Sequence, residues 1–399
     1  MKLLSTEIKN NVLQSMERTL NENRKAILDA NKKDLELFNL EDQAMYDRLI
    51  VTESKIDGMI ASIKEVRSQE DPVSKTISTK SLENGLEINN RTAPFGTIMI
   101  IYESRPDVTI EAAVLAFKAN NKIFLKGGKE ALHSNTILTE LWHKALEENG
   151  LSKNYIQQLV LNREETQMFL KNPPEKLDLI VPRGGERLIN FVKQNATGAV
   201  LVSGRGNNFL YVDENADWEK SVKVILNAKT AKISACNALD KILISSKIEN
   251  YTEKLEDLYK LLQVNGVETL VDNDVNILIE GSNLIKDASV WKEEFLAMKC
   301  CLGAVDSLEE AIEKININSG GHSATIMTAN KVNAMQFMEE VDCAAVYQNA
   351  STRFTDGGQM GVGAELAIST DKLHHRGPLG LKQLVTNKYY IFGDGQIRE

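Results

Sequence analysis

The stretch from Gly96 to about residue 200 alternates short apolar strands with amphipathic helices, and this alternation constrains the fold more than any other feature. The segments TIMIIYE, KIFLKGG and LDLIVPRGG have the pattern of strands, and helical segments separate them. Strands that alternate with helices predict βαβ units and a parallel sheet with helices on both faces. A second alternating series follows Cys236. The sequence therefore predicts two α/β domains, joined near residue 230.

Three segments lie outside this alternation. Between residues 6 and 68 the apolar residues fall at helical spacing, which predicts two or three amphipathic helices. Asn-Gly and Pro-Phe-Gly within residues 81–96 predict a β hairpin. The final segment TNKYYIFGDGQIRE is strand-like and lies beyond the last βαβ unit, so we expect it to pair outside its own domain.

Composition excludes several classes of protein. With 399 residues, 42% of them hydrophobic, the chain is expected to be soluble and globular. A formal charge of -9 argues against a broad nucleic-acid interface. The opening residues do not resemble a secretory signal, and no run of apolar residues is long enough to span a membrane, so we expect a cytoplasmic protein. The spacing of the five histidines and four cysteines predicts no metal site and no disulfide.

Two predicted strands end in glycine pairs, Gly127–Gly128 after Lys126 and Gly184–Gly185 after Arg183. Ligands bind beyond the carboxyl ends of parallel strands, where glycine lets backbone N–H groups approach a phosphate or ribose. The alternative is that each pair only closes a tight turn. Neither pair fits the GxGxxG or P-loop patterns, but two such turns in succession favour a nucleotide site.

Two arginines and one cysteine are further candidates. Arg353 lies in a long loop, residues 346–370, and Arg105 follows a strand. Either guanidinium group could hold a carboxylate or phosphate, and the alternative is a surface ion pair. Cys236 is undecided from spacing alone, because a lone cysteine is more often buried than catalytic.

Six segments together resemble one family. IYESRPDVTIEAA, FLKGGKEALHSN, VPRGGERLI, NAKTAKISACNALDK, NASTRFTDGG and KLHHRGPLGL are similar, in order and spacing, to the glutamate-5-semialdehyde dehydrogenases, also called gamma-glutamyl phosphate reductases, of the aldehyde dehydrogenase superfamily. The resemblance implies an aldehyde dehydrogenase-like α/β fold with an NADP-binding domain (1–78 and 96–230), a catalytic domain (231–381), and an oligomerisation hairpin (79–95) with a C-terminal strand (382–399). The hairpin is expected to pair with the C-terminal strand of a partner subunit.

The resemblance also implies a reaction, the NADPH-dependent reduction of gamma-glutamyl phosphate to glutamate-5-semialdehyde and phosphate, which is the second step of proline biosynthesis. Its implied catalytic residues are Cys236, as the nucleophile that forms a thioester, and Asn237, as an oxyanion donor beside the Cys236 N–H. The implied ligands of NADPH are Lys126, Gly127, Gly128, Glu130, Gly184, Gly185 and, at the nicotinamide ribose, Glu294. The implied substrate ligands are Ser104, Arg105, Asn349, Ser351 and Arg353, with the assignment of the two arginines to phosphate and carboxylate left open.

The chain also departs from the family pattern. It has GRGNNF (204–209) where the family has GxGNCH, and WKEEF (291–295) where the family has WGTEY. Val202 stands where hydrolytic relatives use a water-activating glutamate, which favours phosphate as the acyl partner, and Ser104 stands where the superfamily has its oxyanion asparagine. The first two departures border the expected cofactor site, so they could alter the preference between NADPH and NADH or mark a different acyl phosphate.

Two other functions therefore stay open, an aldehyde dehydrogenase relative with another acyl substrate and a catalytically silent cofactor-binding protein. The resemblance further implies a homodimer or dimer of dimers, and an upstream glutamate 5-kinase as a partner.

Overall fold

The computed structural model describes residues 2–39 and 43–398. The chain forms two compact units. The first unit contains residues up to Val202, Gly361–Ala367 and the segment from Leu379 onward, and the second contains Ser203–Met360 and Ile368–Pro378.

The first unit begins with helices, as the apolar periodicity predicts. The described part of this stretch has four helices rather than two or three: α1 (Thr6–Glu22), α2 (Arg24–Glu36), α3 (Gln43–Leu49) and α4 (Glu53–Ser68). The hydroxyl groups of Ser5 and Thr52 accept backbone N–H groups at the starts of α1 and α4, which satisfies donors that a helix leaves unpaired. One face of α1 is buried through Val12, Leu13 and Met16.

The predicted hairpin is present. Strands β1 (Thr76–Ser81) and β2 (Glu87–Pro94) are antiparallel. The C-terminal strand, labelled β16 (Val385–Phe392), pairs with β2 in the same chain over eight residue pairs. The expectation that this strand pairs with the hairpin of a partner subunit is therefore wrong, because the second edge of β2 is already taken by the chain's own end.

A four-stranded parallel sheet forms the centre of the first unit, in the order β5-β4-β3-β6. Its strands are β3 (Thr97–Tyr102), β4 (Lys122–Lys126), β5 (Ile156–Gln158) and β6 (Leu179–Arg183). The helices are α5 (Pro106–Lys118), α6 (Leu132–Glu148), α7 (Arg163–Lys171) and α8 (Glu186–Asn195). Since β3 lies between β4 and β6, the two glycine pairs flank the residues that follow β3.

The second unit has a seven-stranded parallel sheet in the order β10-β9-β11-β8-β7-β12-β13. Its strands are β7 (Asn208–Val212), β8 (Leu239–Ser245), β9 (Glu268–Val271), β10 (Asn283–Leu284), β11 (Lys299–Val305), β12 (Ser323–Met327) and β13 (Ala345–Gln348). Its helices are α9 (Trp218–Thr230), α10 (Tyr251–Val264), α11 (Asn273–Leu278), α12 (Leu308–Asn318) and α13 (Lys331–Glu340).

The division between the units falls at Val202 and Ser203, earlier than the junction near residue 230 that the sequence suggested. The reason is β7, which pairs with β8 and β12 near the middle of the second sheet. Two further short strands, β14 (Glu365–Ser369) and β15 (Gly377–Gly380), pair with each other. Within the described residues, no helix is long and apolar enough to cross a membrane.

Candidate active site

In the first unit the predicted cofactor and substrate residues lie at the carboxyl edge of the sheet. Ser104 follows β3, and its backbone N–H and hydroxyl both donate to Oε1 of Glu130, each at 2.8 Å. Ser104 is buried and has a positive φ of 40°, a backbone conformation that is unfavourable for serine and is often retained at functional sites. The Glu130 carboxylate therefore holds Ser104 in a strained conformation.

A side chain at Gly127 or Gly128 would displace a neighbouring side chain. A Cβ at Gly127 would lie 2.2 Å from Nδ2 of Asn135, and one at Gly128 would lie 1.9 Å from the Glu130 carboxylate. The ammonium group of Lys126 donates to the carbonyl of Gly127 at 3.1 Å. Burial lowers the pKa of Lys126, while the nearby carboxylates of Glu130 and Glu103 act in the opposite direction.

The second glycine pair faces Glu103, which no sequence motif indicated. The N–H of Gly185, at the start of α8, donates to Oε2 of Glu103 at 3.3 Å, and a Cβ at Gly184 would lie 2.4 Å from the same carboxylate. The Glu103 carboxylate therefore accepts a backbone N–H at the start of α8, where helices bind anions such as phosphate. Arg183 instead donates to the carbonyl of Leu366.

Arg105 lies at the start of α5, where its guanidinium group is 3.6 Å from the carboxylate of Asp107. Its side chain is 39% exposed. The pKa of Glu111, on the same helix, is raised mainly by burial and to a smaller extent by the charge of Asp107. The charges of Arg183 and Arg105 act in the opposite direction. Arg105 is thus partly exposed and already interacts with the carboxylates around it.

In the second unit Cys236, Asn237 and Glu294 lie at the amino edge of the sheet, whereas Asn349, Ser351 and Arg353 follow the carboxyl end of β13. Cys236 and Asn237 precede β8, and Glu294 precedes β11. Cys236 is partly exposed, whereas Cys300, Cys301 and Cys343 are buried. Burial raises the pKa of these three thiols to about 11, about 12 and about 11 respectively.

The Cys236 loop is held by Asn208, from one of the segments that depart from the family pattern. The amide nitrogen of Asn208 donates to the carbonyls of Gly206, Cys236 and Ala238 at 2.9, 2.7 and 2.6 Å. A Cβ at Gly206 would lie 2.0 Å from the Cys236 carbonyl oxygen, so glycine is required there. Asn208, which differs from the family pattern, therefore fixes the backbone of the candidate nucleophile Cys236.

Asn237 links the Cys236 loop to the loop that carries Arg353. Its amide nitrogen donates to the carbonyls of Arg353 and Thr355 at 3.2 and 3.0 Å, and its own carbonyl accepts the hydroxyl of Thr352 at 2.8 Å. The Asn237 side-chain amide, one of the two donors predicted for an oxyanion, is thus engaged by backbone carbonyls. In this structure the Asn237 side chain braces the two loops against each other.

Arg353 lies in a short 3-10 turn, Thr352–Phe354, and Oγ of Ser351 accepts the Arg353 N–H at 3.3 Å. Its side-chain atom Nη1 is buried and has no hydrogen-bond partner among the described residues. Asn349 has a positive φ of 54°, and its amide exchanges two hydrogen bonds of 2.8 Å with the backbone of Thr328. Asn349 therefore braces the turn, and Arg353 retains donor capacity for an anion.

A buried chain of polar side chains, also missed by the sequence reasoning, lies beside these loops. Nδ1 of His322 contacts Oγ of Ser323 at 2.8 Å, which contacts Oγ1 of Thr355 at 2.7 Å, which in turn contacts the Tyr347 hydroxyl at 2.8 Å. Burial lowers the pKa of His322 to about 4, so this imidazole is neutral near pH 7. These side-chain contacts fix Thr355, whose backbone carbonyl accepts a hydrogen bond from the Asn237 amide.

Comparisons with known proteins show the family of this chain. The aldehyde dehydrogenase family model matches residues 8–284 and 281–365. The gamma-glutamyl phosphate reductase of Halothermothrix orenii is 40% identical, over 99% of this chain and 94% of the relative. That of Koribacter versatilis is 42% identical, over 99% and 95%. The chain belongs to the gamma-glutamyl phosphate reductase family.

Solved structures of other proteins share the fold of this chain. The gamma-glutamyl phosphate reductase of Thermotoga maritima has a TM-score of 0.94 at 39% identity, covering 99% of this chain and 95% of that one. An acetylating aldehyde dehydrogenase from Geobacillus thermoglucosidasius has a TM-score of 0.68 at 17% identity, covering 99% and 94%, which shows the fold alone. The family resemblance and the aldehyde dehydrogenase-like α/β fold expected from the sequence are confirmed. Family membership also implies a nicotinamide cofactor.

Proposed function

We propose that this chain reduces gamma-glutamyl phosphate to glutamate-5-semialdehyde and phosphate, the second step of proline biosynthesis, with NADPH as cofactor. The observation that carries the proposal is the pairing of Cys236 with the Arg353 loop through Asn237, in a chain of this family. A partly exposed thiol, and a guanidinium group with an unused donor on the loop that Asn237 binds, suit an anionic acyl substrate.

In the proposed reaction, Sγ of Cys236 attacks the carbonyl carbon of the acyl phosphate as a thiolate. The new carbon–sulfur bond forms while the bond from that carbon to the phosphate oxygen breaks, and phosphate leaves with its electron pair. The product on the protein is a thioester at Cys236. A thiolate suits this step because it is nucleophilic near neutral pH and its thioester is readily reduced. The Cys236 N–H is the proposed oxyanion donor.

In the first unit, the backbone after β4 and β6 suits the phosphates and ribose of a nicotinamide dinucleotide. The Gly185 N–H at the start of α8 binds a carboxylate, which a phosphate can replace, and a Cβ at Gly127, Gly128 or Gly184 would meet a neighbouring side chain. The proposed ligands are Lys126, Gly127, Gly128, Glu130, Gly184, Gly185 and Glu294. When bound, the cofactor supplies the hydride that reduces the acyl group. The preference for NADPH over NADH belongs to the proposal.

The test follows cofactor reduction in the reverse direction, with glutamate-5-semialdehyde and NADP+ or NAD+, in the presence and absence of inorganic phosphate. We expect turnover that requires phosphate, because phosphate must attack the thioester to regenerate the thiolate. Turnover without phosphate would assign the chain to hydrolytic chemistry, and turnover with another aldehyde alone would assign it a different acyl substrate. Absence of any turnover would favour a silent cofactor-binding protein.

Thiol reactivity gives an independent prediction. In a brief treatment with iodoacetamide near pH 7.5, Cys236 should be alkylated at least about tenfold faster than the other three cysteines, because those are buried with raised pKa values. Peptide mass spectrometry reads the four rates separately, and the same treatment in urea should label all four. Equal rates in the folded protein would argue against an activated Cys236.

Self-association through the three-stranded sheet is a further part of the proposal. Tyr389 and Ile391 share one face of β16 and are 59% and 58% exposed, and neighbouring exposed apolar side chains of this kind mark interaction surfaces. The double variant Tyr389→Lys/Ile391→Lys should lower the mass measured by light scattering to that of one chain. Lys388→Glu, on the opposite face of β16, is the matched control and should leave the mass unchanged. An unchanged mass in the double variant would exclude this face.

A further inference from the structure

The segment WKEEF, 291–295, carries Glu294, and each of its other four residues is held through a backbone atom by a side chain from elsewhere in the second unit. Asn207 donates to the carbonyl of Trp291 at 2.7 Å, Arg205 to that of Lys292 at 3.2 Å, Lys241 to that of Glu293 at 2.8 Å, and the N–H of Phe295 donates to Asp240 at 2.8 Å. Trp291 and Lys292 end the 3-10 helix Ala288–Lys292, and residues 293–295 lie outside regular secondary structure. Side-chain contacts therefore fix the backbone on both sides of Glu294.

Lys241 is the unusual member of this set. It is fully buried on β8, its ammonium group donates to the Glu293 carbonyl, and that nitrogen lies 3.7 Å from the centre of the Phe295 ring. The neighbouring Asp240 is engaged by Lys229 at 2.9 Å and by the N–H of Phe295. Burying an ammonium group is costly, and burial lowers the pKa of Lys241. Its partners, a carbonyl and a ring, both belong to the Glu294 segment.

The two departures from the family pattern meet at this place. The ring of Phe209, from GRGNNF, stacks on Trp291, from WKEEF, with centroids 6.3 Å apart and an angle of 22° between the planes. Arg205 and Asn207 of the first segment hold the backbone of the second. The departures are therefore one packed feature of the second unit.

We propose that Lys241 is a positioning residue that, together with Arg205, fixes the Glu294 segment so that the Glu294 carboxylate meets the nicotinamide ribose of the cofactor. The proposal rests on the role of Glu294 given under the proposed function. A ligating carboxylate binds well only when its supporting contacts hold it close to the productive geometry. Losing the Lys241 contacts would free the residue next to Glu294.

The test measures the dissociation constants of NADPH and NADH separately, by fluorescence titration of the full chain. Lys241→Met keeps the length of the side chain and removes the donor. It should raise the dissociation constant of the preferred cofactor about tenfold, as should Glu294→Gln, and the double variant should add little to either. At saturating cofactor, kcat of Lys241→Met should stay within about twofold of the wild-type value.

Two variants guard against a general loss of folding. Arg205→Met, at an exposed position, should raise the dissociation constant about threefold without lowering the melting temperature. Lys118→Met removes another fully buried lysine, which donates to Asn10 and to the Arg67 carbonyl in the first unit, and it should leave cofactor binding unchanged.

The outcomes are separable. A dissociation constant for Lys241→Met within twofold of wild type, or a double variant whose loss is the product of the single losses, would overturn the positioning role. Unchanged binding in Glu294→Gln would overturn the ribose contact and the inference with it. Neither result bears on the reaction, which the phosphate requirement of the wild-type protein tests by itself.

Discussion

Replacing Cys236 by alanine should abolish phosphate-dependent turnover of glutamate-5-semialdehyde, with a loss of kcat on the order of 10⁴-fold or more. The physical reason is that no thioester can form without the sulfur, so the acyl group has no covalent carrier. Cys236→Ser should be almost as inactive, because a hydroxyl group is not ionised near neutral pH. The measurement is the initial rate of cofactor reduction with inorganic phosphate present.

The control for this variant is folding and cofactor binding, both of which should match the wild-type protein. The Asn208 amide contacts the backbone carbonyl of Cys236, so replacing the side chain leaves that hydrogen bond in place. Cys343→Ala, which removes a buried thiol, is the matched variant and should keep turnover. Activity in Cys236→Ala above about a tenth of the wild-type rate would contradict the nucleophilic role.

Arg353→Ala should lower kcat/KM for the semialdehyde and phosphate by about 30- to 1000-fold, equivalent to about 2–4 kcal/mol. The reason is that its buried Nη1 has no partner among the described residues, so a bound anion would supply one. Cofactor dissociation constants should not change. Asn237 binds the backbone carbonyl of Arg353, so the loop should stay attached to the Cys236 loop in the variant.

A matched comparison decides which anion each arginine holds. In the reductive direction, inorganic phosphate and L-glutamate are tested as inhibitors of wild type, Arg353→Ala and Arg105→Ala. The variant that has lost inhibition by phosphate identifies the phosphate ligand, and the one that has lost inhibition by glutamate identifies the carboxylate ligand. A change in kcat/KM for Arg353→Ala smaller than about 0.5 kcal/mol would instead make it a surface residue.

Local patterns in the sequence predict most of the elements. The alternation of strands and helices expected after Cys236 is present, with helices at Tyr251–Val264, Leu308–Asn318 and Lys331–Glu340. Periodicity works there because each helix buries one face against a sheet. The domain junction was misplaced because strand pairing, which assigns β7 to the second unit, joins residues far apart in sequence.

Part of the candidate site is predictable from short motifs and part is not. Motifs indicate Cys236, Arg353 and the glycine pairs, because a thiol, a guanidinium group or a flexible glycine backbone is a property of the residue itself. No local pattern assigns Asn237 to the Arg353 loop, since the hydrogen bond to Thr355 spans 118 positions. The hydrogen bond from the Asn208 amide to the Cys236 carbonyl spans 28 positions.

The class of fold, the family and the types of reactive group follow from the amino-acid sequence, because strand and helix periodicity and short motifs are properties of neighbouring residues. The pairing of the C-terminal strand with its own hairpin, the contacts of Asn237 with two loops, and the packing of GRGNNF on WKEEF are seen only in the folded structure. These facts depend on hydrogen bonds and packing between distant parts of the chain. Such contacts form only when the whole unit folds, and no window of sequence contains both partners.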